Sequence, residues 1–325
     1  MASAQASAGD LETVRLTLQT ELAVDWFQLH GLDAQRALLD STVAGYQKAL
    51  ELTTNKYNQG VVSGVDVAQA QTQLDQTRVQ STDLSATRAN LEHAIAVLAG
   101  KPPAELTIAP GPNGVAPPAI PLVLPSQLLE RRPDVAAQER RVAAANAQIG
   151  VATAAWFPTL SLTGSAGFQA TALAKLFTLP NRFWSLGPAL VETVFDGGRR
   201  RAVKAQAQAS YDAAVAAYRE SVLTALQNVE DNLATLRILS QEANEQAAAV
   251  ASSERALTLA NNRYRGGITA YLEVITAQGI ALANERAAVD VLTRRLTASV
   301  NLVKALGGGW RESDLPAGAA VLSGK

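Results

Sequence analysis

One helical unit is written twice in this chain at a constant offset of 207 positions, so that Ala49, Leu50, Leu52, Asn55, Tyr57, Gly60, Ala70 and Gln71 return as Ala256, Leu257, Leu259, Asn262, Tyr264, Gly267, Ala277 and Gln278. The copies align without a gap, and Lys56 returns as Arg263. They also end alike, in Val97-Leu98-Ala99-Gly100 and Lys304-Ala305-Leu306-Gly307-Gly308. Self-similarity at a fixed period marks a repeated structural unit, so the second copy must fold as the first does. Each copy reads as a helix, a short break containing glycine and a second helix: a helical hairpin made twice.

Composition narrows what such hairpins can serve. Alanine, leucine, valine and glutamine dominate, and aromatics are only 5% of the 325 residues, too few for several conventional cores. A net charge of −1, with basic residues interspersed among acids, gives no bulk attraction to nucleic acid. There is no cysteine, and His30 and His93 stand alone. No zinc-protease, phosphate-loop or dinucleotide motif appears, and Gly164-Ser165-Ala166-Gly167 lacks the spacing of a nucleophile elbow. We therefore expect no enzyme, no catalytic residue, no metal and no cofactor. No apolar run is long enough for an α-helical membrane span. Met1-Ala2-Ser3-Ala4-Gln5 lacks the basic and apolar regions of a signal peptide.

The pattern divides the chain into segments. The first repeat, 1–101, carries a helix from Asp10 to about Tyr57, a break at Asn58-Gln59-Gly60 and a second helix from about Val65 to Leu98. A proline-rich connector follows over 102–125. The helix of the second repeat, 126–156, begins with a short turn from Ser126 to Arg131. At Arg132-Pro133-Asp134 the proline suits a first helical turn and the carboxylate faces the positive end of the dipole. The second helical hairpin spans 196–310 and a C-terminal tail 311–325. Between Gly198 and Gly266 no glycine or proline interrupts the chain, which predicts a rod of about 100 Å. Val215, Val222, Val229, Leu236, Ala243, Val250 and Leu257 recur at heptad spacing, with Leu226 and Leu233 beside them. Ala207, Ala214, Ala217 and Ala225 add small residues next to that seam, as expected for helices approached on more than one side.

Segment 157–195 breaks the helical period. From Phe157 to Phe168, Leu160, Leu162 and Ala166 fall on one face and Thr159, Ser161, Thr163 and Ser165 on the other. From Phe183 to Phe195, Trp184, Leu186, Leu190 and Val194 alternate with Ser185, Gly187, Ala189, Val191 and Thr193. Aromatics stand at both ends of each strand: Trp156, Phe157 and Phe168, then Phe183, Trp184 and Phe195. Strands of this length, tilted as in a barrel, cover roughly 25–30 Å, the apolar band of an outer-membrane β-barrel. Arg199, Arg200, Arg201 and Lys204 follow, placed to snorkel at the polar boundary. The same pattern also fits an ordinary hairpin capping a helical bundle. A two-stranded hairpin cannot close its edges in lipid, so the membrane reading requires several copies in a symmetric oligomer.

Several motifs, in order over nearly the whole chain, carry a family resemblance. Leu129-Glu130-Arg131-Arg132-Pro133-Asp134, Ala155-Trp156-Phe157-Pro158, Asn262-Arg263-Tyr264-Arg265-Gly266-Gly267 and Ala305-Leu306-Gly307-Gly308-Gly309-Trp310 resemble the outer-membrane efflux proteins of the TolC type, NodT-like branch. The resemblance implies a mainly α chain with one β-hairpin: long helical hairpins forming part of a periplasmic α-barrel, and two transmembrane strands of a trimeric outer-membrane barrel. It also implies a homotrimer in outer-membrane lipid, partnered by a periplasmic adaptor protein and an inner-membrane pump, and acting as a passive exit duct for drugs, metals or other small solutes. Family members carry a signal sequence, often a lipid-bearing cysteine, and a first strand pair ahead of the point where this chain opens. We therefore expect a fragment, or a gene start placed too far downstream.

The resemblance also points to residues. The two breaks would lie at the periplasmic tip, where Gly60 and Gly267 suit positive φ and Tyr57 and Tyr264 pack across the turn. Plain turn chemistry explains these residues as well. The family reading adds adaptor docking through Lys56, Tyr57, Gly60, Arg263, Arg265 and Gly267. It adds a periplasmic gate at Leu272, Glu273 and Thr276, with Tyr264 matching a gating tyrosine and Asp66 adding charge. Three copies of Glu273 would form an anionic ring favouring cations, with Leu272 as an apolar constriction. A solvated helical carboxylate is the plain alternative for Glu273. At the membrane interface stand Phe157, Phe168, Trp184, Phe195, Arg199 and Arg200. An adaptor-like protein or a soluble coiled-coil scaffold remains the alternative, although adaptors need lipoyl-like segments and a scaffold gives the 157–195 segment no purpose.

Overall fold

Residues 1–111, 131–171 and 176–315 are described by a computed structural model of the chain. Five helices and two strands follow in order: α1 Ala2–Asn58, α2 Gly64–Leu98, α3 Pro133–Ala154, β1 Thr159–Phe168, β2 Arg182–Val191, α4 Arg199–Arg265 and α5 Tyr271–Ala305. Two compact units are distinguished, one comprising 1–9, 134–222 and 315–325, the other 10–133 and 223–314. Helix α1 starts earlier than expected from Asp10, because the alanine- and serine-rich opening contains nothing that stops a helix. Helix α3 opens at Pro133, as its fixed φ favours. The expected turn over 126–130, most of the proline-rich connector and the tail from 316 lie outside the described residues.

In the unit built from 10–133 and 223–314, the heptad seam of α4 is real. Val229 and Leu236 are buried, while Ala243, Val250 and Leu257 are half-buried. Leu236 and Leu239 pack against Ala298 and Leu302 of α5, and Val229 packs against Ala305. Two of the motifs that carry the family resemblance meet here. The Arg132 guanidinium donates to the Ala305 carbonyl at 3.1 Å, satisfying an orphan acceptor at the C-terminus of α5. The backbone of Arg131 passes so close to Gly307 that a Cβ there would overlap its carbonyl. The start of the connector is held by a buried ionic cluster. Arg88 donates to Asp33 at 2.6 Å, to Glu92 at 3.0 Å and to the Ile108 carbonyl at 2.7 Å, and the Gly111 amide donates to Asp33 at 3.2 Å.

In the other unit, β1 and β2 form an antiparallel pair in which Thr159 faces Val191, Ser165 faces Ser185 and Phe168 faces Arg182. The register places Leu160, Leu162, Ala166, Trp184, Leu186 and Leu190 on one face and Thr159, Ser161, Thr163, Ser165 and Ser185 on the other, as the alternation predicts. Both strands are shorter than expected. Pro158 has no amide to donate, so the ladder stops at Thr159 and Val191, leaving Phe157 and Phe195 beyond its end. Among the described residues no helix is long and apolar enough to cross a membrane. They also contain no group of three or more His, Asp or Glu able to hold a metal.

Candidate functional site

The two breaks close in the same way, one repeat apart. At the end of α1 the Gly60 amide donates to the Tyr57 carbonyl at 2.8 Å and the Val61 amide to Lys56 at 2.9 Å; at the end of α4, Gly267 donates to Tyr264 at 3.1 Å and Ile268 to Arg263 at 2.9 Å. This is a Schellman closure, and its left-handed position is filled by Gly60 at φ 72° and Gly267 at φ 71°. Each turn therefore reverses the chain into the next helix within a few residues.

The residues flanking the turns do not remain equivalent. Tyr57 is 50% exposed, whereas Tyr264 is 4% exposed inside a core with Ala70, Ala260, Tyr271 and Val274. Its ring lies 5.2 Å from that of Tyr271, and its hydroxyl meets Thr53 Oγ1 at 3.3 Å. Lys56 is half-buried. Its ammonium donates to the Tyr264 carbonyl at 2.9 Å and sits 4.1 Å from the centre of the Tyr264 ring, neutralising the C-terminal end of α4. Tyr271, 2% exposed, has its phenol pushed up to about 12 by burial first, then by Tyr264 and Tyr46.

Asp66 and Glu273 are also one repeat apart, each in the first turn of its helix. Asp66 accepts from the Ser63 amide at 3.1 Å and the Ser63 hydroxyl at 3.3 Å, and so caps α2. In the second copy Ala270 stands at the cap and offers no hydroxyl. Glu273 accepts instead from the Thr269 hydroxyl and pairs with Arg263 at 3.1 Å, both charges remaining partly exposed. The chain thus turns the second-copy carboxylate outward toward its own tip cation. Arg265 is exposed.

Leu272, Glu273 and Thr276 are brought together along one side of α5, where they line an open, mainly apolar groove of about 590 Å³ with Ser253, Ala256, Ala260 and Ala277. Tyr264 and Asp66 do not line it. Sequence reasoning overlooked Thr53 and Tyr271. Tyr271 carried a readable signal, since the first copy has Gly64 at that position and every such break in the repeat marks a site where the two hairpins differ.

In the unit holding the strands, the apolar face of the hairpin is open to its surroundings: Leu160 is 74% and Trp184 72% exposed. Phe168 meets Phe177 edge to face at 5.7 Å near the hairpin loop, with Phe183 and Trp184 close by in sequence. Phe157 and Phe195 lie at the opposite end of the strands, both exposed. Arg200 is not a free cation. It donates to Asp196 at 2.8 Å and to the Thr193 carbonyl, and stacks 5.1 Å from the centre of Trp156. The Arg200 amide, helped by its guanidinium, holds the Asp196 carboxyl below its usual range. Arg199 is exposed.

The sequence model of the outer membrane efflux proteins matches residues 1–101 and 124–308. The chain is 35% identical to the outer membrane protein OprJ of Pseudomonas aeruginosa over 309 residues, covering 94% of this chain and 64% of OprJ. It is 33% identical to the pyoverdine export outer membrane protein OpmQ of the same organism, covering 95% of this chain and 65% of OpmQ. It therefore spans just under two thirds of the length of these relatives. The solved outer-membrane channel OprN superposes with a TM-score of 0.89 at 32% identity, covering 95% of this chain and 70% of that one.

Proposed function

The chain belongs to the outer membrane efflux protein family, and from that premise we propose that it contributes to a passive exit duct for small solutes, seated in the outer membrane and extending into the periplasm. Three copies share one barrel, and the duct works with a periplasmic adaptor protein and an inner-membrane pump that supplies the energy. No catalysis and no cofactor enter this account. The observation that carries it is the hairpin. A strand pair with one apolar face exposed, the other lined by Ser and Thr, and aromatics toward both ends fits a lipid-facing wall around a wet lumen.

The helical tips supply the periplasmic end. Exposed Arg263 and Arg265, beside the Gly60 and Gly267 turns, present cationic docking points for an adaptor, with Tyr57 adding an exposed ring. Lys56 contributes by fixing the shape of the tip from within. Leu272, Glu273 and Thr276 form the gate, as an apolar constriction beside a ring of carboxylates, while Tyr264 braces it from the core and Asp66 sets the first turn of α2. The Arg263 contact tempers that ring, which is fully anionic only where Arg263 releases Glu273. In bilayer recordings of the assembled channel, Glu273→Gln should lower cation selectivity; unchanged selectivity contradicts the ring.

The proposal is tested by deleting the gene in its native host and following uptake of a small fluorescent pump substrate. Accumulation should rise in the deletion strain and fall again when the gene is restored. Accumulation that is the same with and without the gene rules out an export role for that class of solute.

A further inference from the structure

The repeat that builds the two hairpins also leaves one buried amide without a partner. In the first copy Gln71 donates to Asp75, one turn further along α2, at 2.9 Å in an exposed position. Carried forward by the repeat offset the pair becomes Gln278 and Leu282, so the accepting carboxylate is gone. Gln278 is 8% exposed, and its Oε1 is buried with no hydrogen-bond partner among the described residues. An unmade buried hydrogen bond is costly, so such an amide marks a place where a group from outside the chain fits.

Gln278 lines a cleft of about 330 Å³ between α1 and the adjoining ends of α4 and α5, together with Tyr46, Tyr264 and Tyr271. All three tyrosines are buried, and the Tyr264 and Tyr271 rings hold each other at 5.2 Å, so the aromatic walls are fixed by the fold. Two exposed cations, Lys48 and Arg265, also line the cleft, and among the described residues no acidic side chain does. The cleft thus has an aromatic body, an unanswered amide in its buried part and positive charge where it meets solvent. It shares no lining residue with the open groove beside Glu273.

We propose that this cleft binds a small aromatic carboxylate that carries a phenolic hydroxyl. The ring lies among the tyrosines, the hydroxyl bonds to Gln278, and the carboxylate meets Lys48 and Arg265 at the mouth. A hydroxyl both donates and accepts, so it answers Gln278 whichever end of the amide faces the cleft. The volume lies at the lower end of the range for ligand pockets, which suits a one-ring molecule better than a long amphiphile. Once bound, the molecule bridges α1 and α5 and ties the two hairpins together near the tip. The site belongs to the fold of one chain and does not depend on the export reading above.

The test titrates para-hydroxybenzoate, benzoate and phenol into the full chain in mild detergent and reads binding by isothermal titration calorimetry. Saturable binding of para-hydroxybenzoate is expected, with benzoate weaker by roughly tenfold or more because it leaves Gln278 unanswered, and phenol weaker because it brings no charge to the cations. Gln278→Leu should abolish the preference for para-hydroxybenzoate over benzoate without lowering the unfolding temperature, since an orphaned amide gives way to an apolar side chain. Lys48→Ala, on the surface, should weaken both carboxylates alike and leave phenol unchanged. Absence of saturable para-hydroxybenzoate binding overturns the proposal, the cleft then holding water alone. Equal affinity for benzoate, binding that survives both substitutions, or a Gln278→Leu variant that loses stability overturns it as well.

Discussion

Gly307 shows how a single residue binds two distant stretches of the sequence. It adopts φ 91°, and the Arg131 carbonyl occupies the space where a side chain would begin. Gly307→Ala therefore combines left-handed strain with a backbone clash, and should cost about 2–5 kcal/mol. Gly309 has the same φ of 91° with open space around it, so Gly309→Ala should lose only the conformational part. Thermal unfolding followed by circular dichroism separates the two; equal shifts would mean that the contact between the motifs carries no weight. Tyr271 gives a second prediction, in pH. Its phenol is pushed up to about 12 in the fold, against about 10 in an unfolded chain, so the native state holds this proton after the unfolded state has released it. The stabilisation is complete below pH 10 and is lost as the pH rises toward 12, at about 1.4 kcal/mol per pH unit. Tyr271→Phe should flatten that decline in alkaline denaturation, and an unchanged slope would place the coupling elsewhere.

At the level of the elements, the β-hairpin makes the sharpest statement about surroundings. Leu162 and Ser161 are neighbours in sequence and lie on opposite faces of β1. Leu162→Arg should cost roughly 2–4 kcal/mol in a lipid-facing wall, while Ser161→Arg, on the hydroxyl-bearing face, should be nearly neutral. Membrane assembly of the two variants decides it, and equal tolerance would favour a hairpin that never meets lipid. The helices, the breaks and the strand alternation were legible in the sequence because each rests on a local period or on a glycine at a left-handed turn. The strand ends were not, since the ladder stops where Pro158 withdraws a donor and Val191 loses its partner. Nor was the difference between the two tips legible by resemblance alone. Tyr264 reads as a gate residue yet lies in the core, because the first hairpin packs against it, whereas Asp66 caps α2 through Ser63 three residues away, a local pattern that the sequence does carry. The substitutions of Gly64 by Tyr271 and of Ser63 by Ala270 between copies were the accessible clue.

For the molecule as a whole, duplication is the organising fact. Two hairpins of one design pack within the chain through Tyr264, Tyr271 and Lys56. The strand pair has unpaired outer edges that lipid cannot satisfy, so a hairpin set in a membrane calls for neighbouring strands. Membership of the outer membrane efflux family and the fit to a solved channel agree with that demand. The measurement that addresses it most directly is native mass spectrometry of the protein released from the outer-membrane fraction in mild detergent. The account predicts a complex of three copies. A monomer, or a complex of any other copy number, would contradict it.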